Sequence, residues 1–393
     1  MSIDPQYFSS DDYIEIERKY FVDIRSSGVV DADPSGWLFS QTSVAEMMPT
    51  AQVGPLDLVQ YRVDEDAALG DAKERIQPLL SAWEATDVFP NEFTICPSGA
   101  CASLVALATV KSLGIRHVVF ETPAYFGSIE QAIELGLSVE LVPTFRRTDY
   151  MLPDVKRLLG TSDTALWLTQ PRASLGFDQS QDLVIRILQT LRHTQFLIVD
   201  EVTDQTFPAH LSRLVHAGAS TNVIRLRSFT KPMGINGIRL AAILHSATLR
   251  PAIVGCLEAF GGSLEIHSLR LVGTLAEDIT RFRHLLRIAN DQVNKLRVTA
   301  ERLATGTPIS VNHLVNGYIG SMIVDLRVLG STHEERRARL LAGCRAKRTP
   351  VMLGSTFYMA KDPPTEAIRL NFFNHPEHIV RGINNVAAVL AGD

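Results

Sequence analysis

Cysteine is scarce: four residues in 393, at 96, 101, 256 and 344, with no paired metal-ligand spacing. That leaves no disulfide framework, and Cys96-x4-Cys101 is not a zinc knuckle. Reduced, mostly structural thiols in a cytoplasmic protein are the expectation, with no metal. Long apolar runs are also missing, since none reaches the roughly 18 residues that cross a bilayer. The N-terminal MSIDPQYFSSDDYIEIERKYF lacks the basic-then-apolar order of a secretion signal. Basic charge is not in excess either: 38 Lys and Arg stand against 43 Asp and Glu, a net charge of −5. Nucleic-acid binders usually carry a basic stripe, so neither nucleic acid nor membrane is an expected partner. Internal repeats, low-complexity tracts and flexible linkers are absent from the pattern.

What remains is a globular composition, 46% hydrophobic and 21% charged, on a chain too long for one ordinary core. From about residue 93 to 245, short apolar runs bounded by turn residues alternate with helical stretches. The runs 116-RHVVFE-121, 137-LSVELV-142, 164-TALWLT-169, 195-QFLIVD-200, 222-NVIRLR-227 and 238-IRLAAIL-244 read as buried strands. The segments 128-SIEQAIELG-136 and 181-QDLVIRILQTL-191 read as the helices between them. Such alternation predicts an α/β fold with a mostly parallel sheet covered on both faces. Residues 264–304 read as one long helix, followed by a smaller lobe with strands near 317–326 and 367–373 and a closing helix near 376–390. The cluster 335-EERRAR-340 reads as a solvated helix face.

The chemistry concentrates in 228-SFTKPMGINGIRLA-241. It follows one apolar run and leads into another, so Lys231 sits on a loop at a strand end, where open α/β sheets bind ligands. A lysine there can condense with an aldehyde, and Arg239, eight residues on, can grip a phosphate bidentately. Gly234 and Gly237 permit a tight turn between them. This segment resembles the cofactor-lysine signature of the class I/II aminotransferases, the aspartate aminotransferase-like group of fold type I. The resemblance implies pyridoxal 5′-phosphate (PLP) held as a Schiff base on Lys231. It also implies a three-part chain: an N-terminal segment 1–49 on the small domain or a partner subunit, a large PLP-binding domain 50–280, and a small C-terminal domain 281–393.

Companion motifs follow in the family's order. Asp200 ends the run 195-QFLIVD-200 where the family has the aspartate that keeps the cofactor's pyridine nitrogen protonated. The turn 97-PSGACASL-104 opens a helix, and the resemblance assigns Ser98, Gly99 and Ala100, with Ser228 and Arg239, to the phosphate. In 122-TPAYFG-127 it places Tyr125 on the pyridine ring, and in 367-AIRLNFF-373 it makes Arg369 the clamp of the substrate α-carboxylate. Tyr61 would reach the phosphate of a neighbouring subunit, which implies a homodimer with shared active sites.

Two positions depart from the pattern. In 170-QPRASLG-176 the family's asparagine, a donor to the cofactor's phenolic O3′, is replaced by Ala173, and the second donor, a tyrosine, by Thr203. Their loss alters the cofactor's electronics. The segment 15-EIERKYFVDIRSSGVVD-31 also resembles capreomycidine synthase-like enzymes, which share the fold but eliminate a β-substituent. Three functions therefore stand side by side: an aminotransferase of an α-amino acid, a β/γ-eliminating lyase or cyclase, and a non-catalytic PLP-binding relative.

Overall fold

The computed structural model describes residues 22–28, 30–36, 42–49, 71–146, 149–150, 154–160, 163–217, 222–260, 264–311, 316–357 and 365–392. A seven-stranded sheet dominates it. In chain order its strands are β1 (Phe93–Cys96), β2 (His117–Thr122), β3 (Ser138–Pro143), β6 (Thr164–Thr169), β7 (Phe196–Asp200), β8 (Val223–Ser228) and β9 (Ala241–His245). The two-residue strands β4 (Phe145–Arg146) and β5 (Asp149–Tyr150) form a separate ribbon. The order across the large sheet is β1-β9-β8-β7-β6-β2-β3. Pairing is parallel from β8 through β3, and β9 runs against both of its neighbours. The fold class read from the sequence is therefore the one observed.

The strands are apolar along almost their whole length because helices cover both faces. Helices α1 (Thr42–Glu46) and α2 (Asp71–Glu84) precede the sheet. Helices α3 (Gly99–Ser112), α4 (Phe126–Glu134), α5 (Val155–Leu159), α6 (Gln181–Thr190) and α7 (Ser212–Ala217) lie between its strands, and α8 (Arg250–Phe260) follows it. Asp154, Ser180 and Ser98 cap α5, α6 and α3 by accepting backbone N–H bonds in the first turn. No helix among the described residues is long and apolar enough to cross a membrane.

The single long helix expected over 264–304 is two: α9 (Ile266–Ala276) and α10 (Ile279–Ala304). The apolar spacing runs on across the break, but Asp278 leaves the helical conformation and caps α10 through the Arg281 N–H. Beyond α10, β10 (Ile309–Val311), β11 (Ile319–Asp325) and β12 (Thr365–Asn371) form an antiparallel sheet packed by α11 (His333–Ala346) and α12 (Pro376–Ala391). One apolar cluster runs from Trp83 and Phe93 through Phe282 to Leu340 and Phe372, tying this smaller sheet to the larger one. The charged run at 335–340 is only partly a solvated face, because Arg337 is buried and paired with Glu366 at 2.8 Å. Residues 30–36 lie along β12: Asn371 N donates to the Pro34 carbonyl at 2.9 Å and Ser35 Oγ to that of Arg369 at 2.6 Å.

Candidate active site

Six strands of the large sheet end at one edge, and β9 begins there. Their terminal loops enclose a cavity of about 270 Å³ lined by Ser98, Tyr125, Asp200, Ser228, Lys231 and Arg239, among others. Gly99, Ala100, Thr203 and Ala173 line it as well. Segments separated by more than a hundred residues thus meet because parallel strands all present their carboxyl ends to one side. Tyr61 lies outside the described residues.

The Lys231 loop is held from several directions. Ser228 Oγ accepts from Lys231 N at 3.2 Å, Thr230 Oγ1 donates to the Ile238 carbonyl at 2.6 Å, and Gln205 Nε2 to that of Pro232 at 2.8 Å. The turn closes on Gly234, whose φ of +74° is left-handed. Gly237 has no such φ and has open space where a Cβ would go, so of the two glycines only Gly234 is required by the backbone. Burial pulls the Lys231 amine down to about 8; Asp200 opposes the shift, and Arg369 and Arg239 add to it.

Asp200 closes β7 and is buried. Its Oδ1 accepts from Val202 N at 3.1 Å. Burial pushes its carboxyl above the ordinary value, against the pull of Lys231 and of the Val202 N–H. The Tyr125 ring centroid lies 6.0 Å from Lys231 Nζ. Burial and the neighbouring Asp200 push its phenol upward as well. Ser98 caps α3, its Oγ accepting from Cys101 N at 3.1 Å. Arg239 is exposed, and its backbone N donates to Ser268 Oγ at 3.3 Å.

Arg369 is buried in β12, outside the cavity lining but within electrostatic reach of Lys231 and Tyr125. Its guanidinium lies 5.4 Å from the Phe357 ring, and Phe357 lines the cavity. Burial brings it down to about 10, partly offset by Tyr318, Asp33 and Tyr125.

Several cavity residues carry no local sequence signal. Arg172 is buried, donating to Gln179 Oε1 at 2.9 Å and lying 3.5 Å from Glu121. Gln179 follows it in the same loop, whereas Glu121 comes from the end of β2, and no spacing rule links the three. Gly317, Ile319 and Phe357 reach the cavity from the smaller sheet and its flanking turn, which apolar periodicity cannot foretell. Thr169 and Ser174 place buried hydroxyl oxygens without a hydrogen-bond partner on the cavity wall.

This donor set fits a phosphorylated aldehyde. A capped helix start, two serine hydroxyls and a guanidinium suit a phosphate dianion. A partly neutral amine suits the aldehyde, and a buried carboxylate lining the same cavity suits a cationic ring nitrogen. At Ala173 the wall offers no side-chain donor, whereas at Thr203 it offers a hydroxyl.

Comparison with known proteins agrees with the geometry. The family model described as aminotransferase class I and II matches residues 67–301. A histidinol-phosphate aminotransferase from Deinococcus radiodurans is 28% identical over 153 residues, covering 37% of this chain and 41% of that relative's length. Among solved structures, an aspartate aminotransferase double mutant from Thermus thermophilus superposes with a TM-score of 0.76 at 14% identity, covering 96% of each chain. The Escherichia coli protein YbdL, described with a methionine aminotransferase function, superposes at 0.74 and 14% identity, over 95% of this chain and 96% of its own.

Proposed function

The chain belongs to the aminotransferase class I and II family, and from that premise we propose that it is a PLP-dependent aminotransferase of an α-amino acid, with Lys231 as the residue that holds the cofactor. The observation that carries the reading is that Lys231 and Asp200 line one cavity, close enough for each charge to shift the other's pKa.

When bound, PLP supplies an aldehyde that condenses with amines and a ring that draws electrons from the substrate Cα. Ser98, the N–H groups of Gly99 and Ala100, Ser228 and Arg239 would hold its phosphate. Tyr125 would lie against its ring, and Asp200 would hold a proton on the ring nitrogen. With its pKa near 8, Lys231 is partly neutral at neutral pH. It would be the amine that holds the cofactor's aldehyde and, when free, the general base that moves the proton of the substrate Cα. Arg369 would grip the substrate carboxylate, its burial favouring a bound anion over water. A homodimer, with Tyr61 reaching the partner's phosphate, and the division at residues 49 and 280 belong to the same reading and rest on the family resemblance.

The test is to load the protein with PLP, reduce it with borohydride and map the cofactor. It should be fixed on the Lys231 peptide, and unreduced loaded protein should convert an amino acid stoichiometrically to its keto acid. Label on another residue, or no uptake of PLP, would overturn the reading. Expulsion of a β-substituent without keto-acid exchange would assign the chain to lyase chemistry instead.

A further inference from the structure

The proposed reaction leaves the cysteines unused, and two of them flank the phosphate cradle. Cys96 ends β1 and Cys101 lies in the first turn of α3, one on each side of the Ser98–Ala100 turn. Both pack in the same apolar cluster, Cys96 buried and Cys101 half-buried. Their thiols are hydrogen-bonded to each other. We propose that Cys96 and Cys101 form a peroxide-sensitive dithiol, whose oxidation to a disulfide distorts the cradle and blocks loading of the cofactor-free enzyme. The inference rests on the reading of Ser98–Ala100 as the phosphate site.

Cys101 is the attacking group. It lies at a helix N-terminus, where the backbone dipole favours a thiolate. The Cys96 thiol beside it holds its pKa below the ordinary value, with burial acting in the opposite direction. Hydrogen peroxide supplies the oxidising equivalents. The Cys101 sulfur bonds one peroxide oxygen, the O–O bond breaks, and the departing hydroxide leaves as water after taking up a proton. The Cys96 thiol then gives up its proton and attacks the Cys101 sulfenic acid. The S–S bond forms, the S–O bond breaks, and a second water leaves. Two thiols have lost two electrons and two protons, and one peroxide has become two waters.

Closure draws the sulfurs from hydrogen-bonding distance to a bond of about 2 Å, and the first turn of α3 must follow. That turn has little slack. A Cβ at Gly99 would sit 2.8 Å from Val202 Cγ1, and the Ala100 carbonyl is held by Gln131 Nε2 at 3.0 Å. The displacement therefore falls on the N–H groups and the Ser98 hydroxyl that face the phosphate. Conversely, a phosphate dianion bound at this helix end disfavours the Cys101 thiolate by like-charge repulsion, so the loaded protein resists the oxidant.

The test treats the full chain, with and without bound PLP, with hydrogen peroxide that is then destroyed by catalase. Peptide mapping should find the 96–101 disulfide in the cofactor-free protein, reversible by dithiothreitol, while the loaded protein keeps both thiols. PLP affinity of the oxidised form should fall about tenfold or more, the loss of one or more hydrogen bonds to a charged group. Peroxide should leave the PLP affinity of Cys101→Ser where it was, which separates the effect from oxidation at Cys256 or Cys344. A reduced chain that takes up no PLP overturns the cradle reading and this inference with it. A reduced chain that binds PLP, yet forms no 96–101 disulfide or binds equally well with it, overturns the inference alone.

Discussion

Asp200 and Glu201 are neighbours in the chain, yet they enter two ionic groupings of opposite character. Glu201 joins a fully buried cluster with Glu84, Asp204, Arg225 and Arg227. Arg225 grips Glu201 through Nε and Nη2 at 2.8 and 3.0 Å and also reaches Glu84. Arg227 bonds Glu84 at 3.0 Å, Asp204 at 3.1 Å and Glu201 at 3.2 Å. Burial by itself would lower the Arg225 guanidinium, but Glu201 and Glu84 more than offset it and hold it above the ordinary value. For the cations around the cavity the balance falls the other way, although burial still pushes the Glu201 carboxyl above its ordinary value, as it does Asp200. Burial wins at Lys231, brought down to about 8, and at Arg369, brought down to about 10. Charges that neutralise one another lock a sheet to a helix. Charges whose desolvation is not made good within the chain are poised for a ligand that brings the missing countercharge.

The largest test of that contrast is Lys231→Ala. It should lower turnover at least about a thousandfold, the scale of losing a general base, and abolish borohydride labelling, while the melting temperature of the cofactor-free protein holds or rises. A large drop in melting temperature would mean that Lys231 belongs with the structural cluster. Glu84→Ala should do the reverse, destabilising the fold by about 3–5 kcal/mol in urea unfolding because two buried guanidiniums lose a shared partner. Arg369→Lys should raise KM for the amino acid about tenfold or more, because an ammonium cannot replace a planar fork. Steady-state kinetics would show it, and an unchanged KM would remove Arg369 from the substrate site.

The smallest effect is a pH dependence. The Lys231 pKa is lower folded, about 8, than the ordinary lysine value of 10.5. Between those two values the unfolded chain binds more protons at this group, so its contribution to stability rises with pH across that window. Below about 8 both states carry the proton and the burial penalty is fully present. Urea unfolding of cofactor-free protein should show this rise, and Lys231→Ala should lack it. PLP uptake should likewise speed up with pH and level off above about 8.

Legibility followed distance along the chain. Six of the seven strands of the large sheet, with Asp200 closing β7 and Lys231 just beyond β8, are readable because apolar runs and their turn residues are local, whereas the four-residue β1 is not. The seam at Glu277–Asp278 was missed because the apolar spacing of 264–304 continues through it, whereas the capping carboxylate that ends it looks like any exposed acid. Two arginines in 222-NVIRLR-227 carried no hint of their partners, since Arg225 meets Glu84 across 141 residues. Arg172 was readable as a residue but not as one held by Glu121 and Gln179.

The sequence by itself determined the α/β class, the lysine at a strand end, the aspartate before it and the helix-opening Ser98 turn. All of these follow from periodicity and backbone chemistry within a few residues. Tertiary structure alone decided which charges cancel, which remain shifted around the cavity, and that the Cys96 and Cys101 thiols meet beside the Ser98 turn. Those outcomes depend on burial and on electrostatic partners from distant segments. Neither exists until the strand ends have been brought to one edge of the sheet.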